Sequence, residues 1–177
     1  MRPRARNMKE TMRHVNRDGS RDKKLAPPEK RTGRPPEPQV CERCASVFSR
    51  RAWRTDRDLT PELLEQASWT VCPACAQVDN QEYWGRVVIR GAYAAEHEEA
   101  IRQRIQNVEE RARFVQPQRR VVSAERDGDV FEVLTTSQKL AHRIARELEK
   151  AFHGRATYNW SDDGSLYAVW EHEEVRH

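Results

Sequence analysis

Cys41-Glu-Arg-Cys44 and Cys72-Pro-Ala-Cys75 hold all four cysteines of this 177-residue chain in two identically spaced pairs. In a CxxC turn the backbone reverses so that two thiolates face one point. Two such turns supply the four sulfur ligands that tetrahedral Zn²⁺ takes, at a Zn–S distance of about 2.3 Å. The competing chemistries are two disulfides, or a redox pair of the Cys-Pro-Ala-Cys kind. Disulfides belong to an oxidising compartment, and a redox pair leaves the second CxxC without a role. A site closed by four thiolates has no open position for a reacting water, so it points to scaffolding rather than to zinc catalysis. Such a site contributes folding free energy directly, on the order of 10 kcal/mol. The pairs are far enough apart for the chain to return antiparallel, which is the layout of a zinc ribbon over residues 39–80.

The elements that must hold this ribbon set the rest of the reading. At 177 residues there is room for one ordinary domain plus small appendages, and the ribbon is too small to be that domain. Charge is unevenly placed. Residues 1–40 carry 12 Lys/Arg against 5 Asp/Glu, a net of +7, while residues 41–177 carry 20 against 23, a net of −3. No apolar run approaches the roughly 20 residues of a membrane span, and the N-terminus has arginines without the apolar segment of a signal peptide, so a cytoplasmic, reducing location is expected.

Residues 1–38 read as a disordered basic arm. Arg2, Arg4, Arg6, Lys9, Arg13 and Arg17 open it, and Pro27-Pro28 and Pro35-Pro36 interrupt it. Too little apolar surface is present to offset the entropy of ordering. The one-signed charge suits RNA phosphates; the alternative is a solubilising tail. Between the cysteine pairs, Thr60 and Pro61 mark a short helix, and Trp69 and Val71 alternate as a strand leading to Cys72. Arg50, Arg51, Arg54 and Arg57 surround Trp53. They form either a phosphate-pairing cluster with an indole that stacks on a base, or solvated arginines around a packing tryptophan.

Residues 85–172 carry the larger pattern. A strand over 86–93 precedes a helix over about 94–114, with Ile101, Ile105, Val108 and Ala112 at helical spacing. Glu96, Glu98 and Glu99 suit its N-terminal dipole, and Pro117 stops it. Strands over 119–125 and 130–135 join through Asp127-Gly128. A second helix begins near Thr136-Ser137, turns Leu140, Ile144 and Leu148 inward, and ends at Gly154. Strands over 156–160 and 166–170 flank Asp162-Asp163-Gly164. The order βαββαββ predicts an α+β fold, a ferredoxin-like βαββαβ layer of two helices on an antiparallel sheet with one extra strand.

Lys139, Arg143, Arg146 and Lys150 recur at steps of four, three and four, opposite the apolar seam of the second helix. This stripe either follows a phosphate backbone or is an ordinary solvated face diluted by Glu147 and Glu149. The first helix alternates charge, with Glu98 four before Arg102 and Glu109 four before Arg113. No glycine-rich phosphate loop, nucleophile elbow or His/Glu pair at helical metal spacing is present, and His97, His142, His153 and His172 are scattered. No catalytic residue is expected.

With the ribbon, the strand 86–93, the segment 107–112 (NVEERA) and the segment 134–144 (LTTSQKLAHRI) in view, the chain resembles small bacterial zinc-ribbon proteins. These are distantly similar to the nonsense-mediated-decay protein 3 type of ribosomal export adaptor. The resemblance covers about residues 41–172. It implies zinc ligation by Cys41, Cys44, Cys72 and Cys75, and contact with ribosomal RNA or a ribosomal subunit, including its proteins. The expectation is therefore a non-enzymatic zinc protein that contacts RNA on the ribosome, with no membrane or small-molecule partner. Two alternatives stand beside it: a protein-interaction adaptor with a solubilising arm, and a DNA-binding zinc ribbon of the transcription type.

Overall fold

Among the described residues, two β-sheets and five helices give a mixed α+β architecture, and in each sheet the turn residues dictate where the strands reverse. The computed structural model describes residues 35–172. The expected basic arm lies outside the described residues except for its last four positions, 35–38.

The first sheet has the order β3-β2-β1-β4, built from Gln39–Cys41 (β1), Val47–Ser49 (β2), Ala52–Arg54 (β3) and Ser68–Thr70 (β4). β1 and β2 are antiparallel around the first cysteine pair. The two-residue turn between β2 and β3 is Arg50-Arg51, both with positive φ (51° and 64°). That geometry suits the right-handed twist of a hairpin but normally selects Asn-Gly. Here the Glu37 carboxylate accepts both turn N–H groups, at 3.1 and 3.3 Å, and holds the strained turn in place. Pro38 accepts from the Ser68 N–H at 3.1 Å, so these last positions of the expected arm are bonded into the sheet.

Helix α1 (Pro61–Gln66) starts as its sequence dictates, with the Thr60 hydroxyl accepting from the Leu63 N–H. β4 then pairs with β1 in parallel, not in the antiparallel sense that a ribbon of two matched turns suggests. The reason lies in the chain between them: β2, β3 and α1 form a crossover long enough to bring β4 back in the same direction. The second cysteine pair does not repeat the first turn. Cys72 is the N-cap of helix α2 (Pro73–Asp79), with Pro73 at its first position.

The second sheet has the order β6-β7-β5-β9-β8: Gly85–Arg90 (β5), Val121–Asp127 (β6), Val130–Thr135 (β7), Gly154–Trp160 (β8) and Leu166–His172 (β9). Helices α3 (Ala92–Glu96), α4 (Glu98–Val115) and α5 (Gln138–Phe152) complete this part. The single helix expected over 94–114 is two, separated at His97, whose φ of −111° and ψ of 21° leave the helical region. The sheet is mixed. β6, β7 and β5 pair antiparallel, but β9 inserts between β5 and β8 and runs parallel to β5. The last hairpin therefore contributes its second strand, not its first, to the centre.

Apolar periodicity fixes the layer. Ile101, Ile105, Val108 and Ala112 of α4 and Leu140, Ala141, Ile144, Ala145 and Leu148 of α5 are buried against Val87, Ile89, Phe131, Val133, Leu166, Ala168 and Trp170 of the sheet. The free edge of β6 is blocked by α4: Glu109 accepts from the Val121 N–H at 2.7 Å, and Arg102 donates to the Ala124 carbonyl at 2.9 Å. Unpaired edge groups invite other strands, and these two side chains occupy them. Burial first raises the Glu109 pKa, and the Val121 N–H only partly opposes that.

The sequence expected Gly154 to close α5. Instead His153 takes the left-handed conformation (φ 54°, ψ 41°), and Gly154 begins β8. The glycine serves a close approach: a Cβ there would lie 2.4 Å from Trp170 Cε2 and Nε1 and 2.5 Å from the Glu171 carbonyl. Trp170 is fully buried at the centre of the core, so it has no room to retreat. Gly154→Ala is expected to destabilise the fold by about 1–3 kcal/mol. Urea denaturation followed by tryptophan fluorescence reads this directly, and an unchanged midpoint would refute the contact.

Candidate metal centre

The cysteine spacing brings all four sulfurs together. Their Sγ atoms lie within 4.8 Å of one another, and no other such group of potential metal ligands is found among the described residues. Cys41 and Cys75 are 3.8 Å apart and Cys44 and Cys72 are 3.7 Å apart. A tetrahedron with about 2.3 Å from centre to sulfur has edges of about 3.8 Å. The spacing is nearly twice that of a covalent S–S bond, so the cluster has the size of a metal site rather than of two disulfides.

Each half is shaped by its backbone. In the first, the Ala45 N–H bonds back to the Cys41 carbonyl at 2.9 Å, the Cys41 N–H bonds to the Ser46 carbonyl at 2.8 Å, and Ala45 carries a φ of 59°. This reversal aims Cys41 and Cys44 at the same point. In the second, the helix supplies the aim. Cys72 accepts from the Cys75 N–H at 3.4 Å as the N-cap, and both cysteines sit where the positive end of the helix dipole favours thiolate. The Cys72 N–H reaches Cys41 Sγ at 3.3 Å, which couples the halves. Trp53 packs against the cluster with Val71, and its ring lies 5.4 Å from that of Phe48. Trp53 therefore packs on the ribbon, partly buried.

The sulfurs are not equivalent. Burial would raise the Cys44 pKa, but hydrogen bonds from the Ser46 hydroxyl and backbone, helped by the nearby Arg120 guanidinium, outweigh it and bring it down to about 6. Burial pushes Cys72 and Cys75 up; the sulfur neighbours add to that at Cys75, while at Cys72 the hydrogen bonds from Cys75 only partly oppose it. The donor set, its size and its closure fit one tetrahedral cation in a structural role.

Arg120 is the residue beside the centre that sequence reasoning passed over. It lies just before β6, is only 7% exposed, and places Nη1 3.9 Å from Cys75 Sγ. Its burial disfavours the charge, but the neighbouring sulfurs, Cys44 first, more than compensate and raise its pKa further. No spacing rule connects position 120 to a cysteine 45 residues earlier; only the fold does. The expected RNA-contact residues are spread over two places. Arg50, Arg51, Arg54 and Arg57 are exposed around the first sheet, and Lys139, Arg143, Arg146 and Lys150 are exposed along α5. Of the scattered histidines, His97 and His172 stack on opposite faces of Tyr93, each with a centroid distance of 3.9 Å.

Metal uptake should depend on pH with a definite sign. Cys72 and Cys75 must give up protons to coordinate, so apparent affinity rises as pH increases above about 6, and binding releases at least two protons near pH 7. Titration of the reduced chain with Co²⁺ in weakly buffered solution, followed by thiolate-to-metal absorption and proton release, is expected to saturate at one ion per chain. Cys72→Ser should abolish that stoichiometry. No protein-family model matches this chain, and no curated protein is significantly similar to it.

Proposed function

We propose that this is a non-enzymatic, zinc-stabilised binding protein that engages RNA, on the ribosome, through its basic arm, its exposed ribbon arginines and the outer face of α5. In this reading zinc is the cation of the four-sulfur centre, and the sheet layer is a ferredoxin-like scaffold with one added strand. The ground for placing its action on the ribosome, in the cytoplasm, is the resemblance to the ribosomal export adaptor type read from the sequence alone.

The observation that carries the reading is the state of the charges on α5. Lys139, Arg143, Arg146 and Lys150 are all exposed, and among the described residues only Lys150 meets a carboxylate, Glu147 at 3.5 Å. Glu149 is turned away from the stripe, accepting from the Ala156 N–H at 2.8 Å and the Tyr158 hydroxyl at 3.3 Å. The acids interleaved in the sequence therefore neutralise little of the stripe. A rigid helix with a row of uncommitted cations suits a phosphate backbone, which is recognised through charge at helical repeat distances. The net +7 of residues 1–40 adds the same sign of charge.

A second reading rests on a different surface. Phe114 and Val115 are about 70% exposed (69% and 71%) at the end of α4. They border a cleft of about 390 Å³ that also takes in Trp53 and Arg54. Exposed apolar groups beside a cleft favour a protein partner, and then the arm serves solubility alone.

Sedimentation of lysate through a sucrose gradient at low and high salt separates these. The native protein is expected to travel with a ribosomal particle at low salt and to leave it at high salt. Removing residues 1–34, which spares the Glu37 and Pro38 contacts, should weaken that association steeply. In direct binding, Arg143→Glu with Arg146→Glu should lower affinity for structured RNA by at least tenfold and reduce the salt slope by about one to two. A protein that stays at the top of the gradient at every salt concentration rules out the ribosome. Partner binding that survives arm removal supports the adaptor reading.

A further inference from the structure

The centre's four sulfurs belong to residues 41–75, but the charge beside them comes from residue 120. We propose that Arg120 is a positioning residue of the metal centre: its buried guanidinium balances the metal-bound thiolates and ties metal occupancy to the packing of the first sheet against the second. This inference rests on the metal-centre reading.

Three observations carry it. The first is the chemistry of the side chain. A guanidinium keeps its charge at every pH a protein survives, so burying it to 7% exposure requires negative charge nearby. Among the described residues that charge is sulfur: Nη1 faces Cys75 Sγ at 3.9 Å, while Nε donates to the Pro117 carbonyl at 2.8 Å. Glu109 reaches Arg120 only through its longer-range field, since its carboxylate is engaged by the Val121 N–H. The second is that Nη2 is buried with no hydrogen-bond partner. An unmatched cationic donor is costly beside neutral thiols. A divalent ion held by four thiolates carries a net charge of −2, and that surplus is what the guanidinium offsets.

The third is how firmly the residue is held. The Arg120 N–H donates to Thr136 Oγ1 at 2.9 Å, and the Arg120 carbonyl accepts from the Thr136 N–H at 2.9 Å. The Thr136 hydroxyl donates to the Gln118 carbonyl at 2.6 Å. From the other side, Gln77 of α2, two residues past Cys75, donates to the Thr136 carbonyl at 2.9 Å. Thr136 thus joins the helix that carries the second cysteine pair to the segment that carries the guanidinium. Metal binding that orders α2 also settles Arg120, and the reverse holds by linkage.

The test compares the full native chain with Arg120→Met, which keeps length without charge, and Arg120→Lys, which keeps charge without the planar fork. Zn²⁺ affinity is read by competition with a chromophoric chelator, and thermal unfolding is followed with and without Zn²⁺. Arg120→Met is expected to bind Zn²⁺ about tenfold more weakly or worse, with Arg120→Lys between it and the native chain. The rise in Tm that Zn²⁺ produces should shrink in Arg120→Met. Native-like affinity in Arg120→Met overturns the proposal, as does an equal loss of Tm with and without Zn²⁺, which marks a packing role alone. If Arg120→Met does not fold, native-like affinity in Arg120→Gln, which is polar but uncharged, together with an unchanged Zn²⁺-induced Tm rise overturns it equally. Failure of the native chain to give a thiolate-to-Co²⁺ absorption band removes the metal centre itself and this role with it, a result distinct from the others.

Discussion

Four sulfurs within 4.8 Å of one another set the governing constraint of this molecule. They can be neutral thiols, or they can share a cation, but four thiolates at that spacing cannot stand alone against their mutual repulsion. The directed contacts around them favour the charged form in company. Two N–H groups point at sulfur, one pair of cysteines occupies a helix N-terminus, and a guanidinium is buried alongside. A core of this size in the first sheet contains little else: Val40 and Val47 are its fully buried aliphatic residues, and Trp53 closes over the cysteines. Hydrophobic burial alone is marginal for so small a unit, and a metal is one of the few ways to fix it.

The second sheet solves the opposite problem. Its core runs continuously from Val87 and Ile89 through Phe131 and Val133 to Trp170, covered by α4 and α5. That layer has apolar surface enough to hold its own shape, and so it supplies a rigid base for what the first sheet lacks. The meeting point is polar rather than greasy. Arg120, Thr136 and Gln77 join the two by directed hydrogen bonds, and Thr55 adds one more by donating to the Phe114 carbonyl at 3.2 Å. Directed bonds fix an orientation that apolar contact alone leaves loose.

Much of this was legible in the sequence because it rests on local rules. The cysteine spacing picked out the four residues that cluster, the Thr60-Pro61 and Ser137 caps placed helix starts, and the apolar periodicity of α4 and α5 named the buried residues. What escaped was set by contacts distant in the chain. The parallel pairing of β4 with β1 and the insertion of β9 beside β5 are choices among strand orders that periodicity does not rank. Gly154 looked like a helix stop, and its actual role is to make room for an indole sixteen residues later. Local signals were also present and passed over. Cys72 followed by Pro73 is an N-cap and first-turn pair, which announces α2 as plainly as Thr60-Pro61 announces α1.

The placement of charge follows the same division between local pattern and tertiary use. On α5 the sequence interleaves Glu147 and Glu149 with the basic stripe, and by count they halve its charge. The fold reassigns them: Glu149 is spent on the Ala156 N–H and the Tyr158 hydroxyl, where burial and the carboxylate together push the phenol up to about 12. Arg102 and Arg126, by contrast, are drawn inward by Glu98, whose pKa they hold down. Charges that hold the fold are thereby withdrawn from the surface, and those on the outer face of α5 are left to meet solvent or a partner. An interaction site built this way is defined less by where basic residues occur than by which acids have been taken elsewhere.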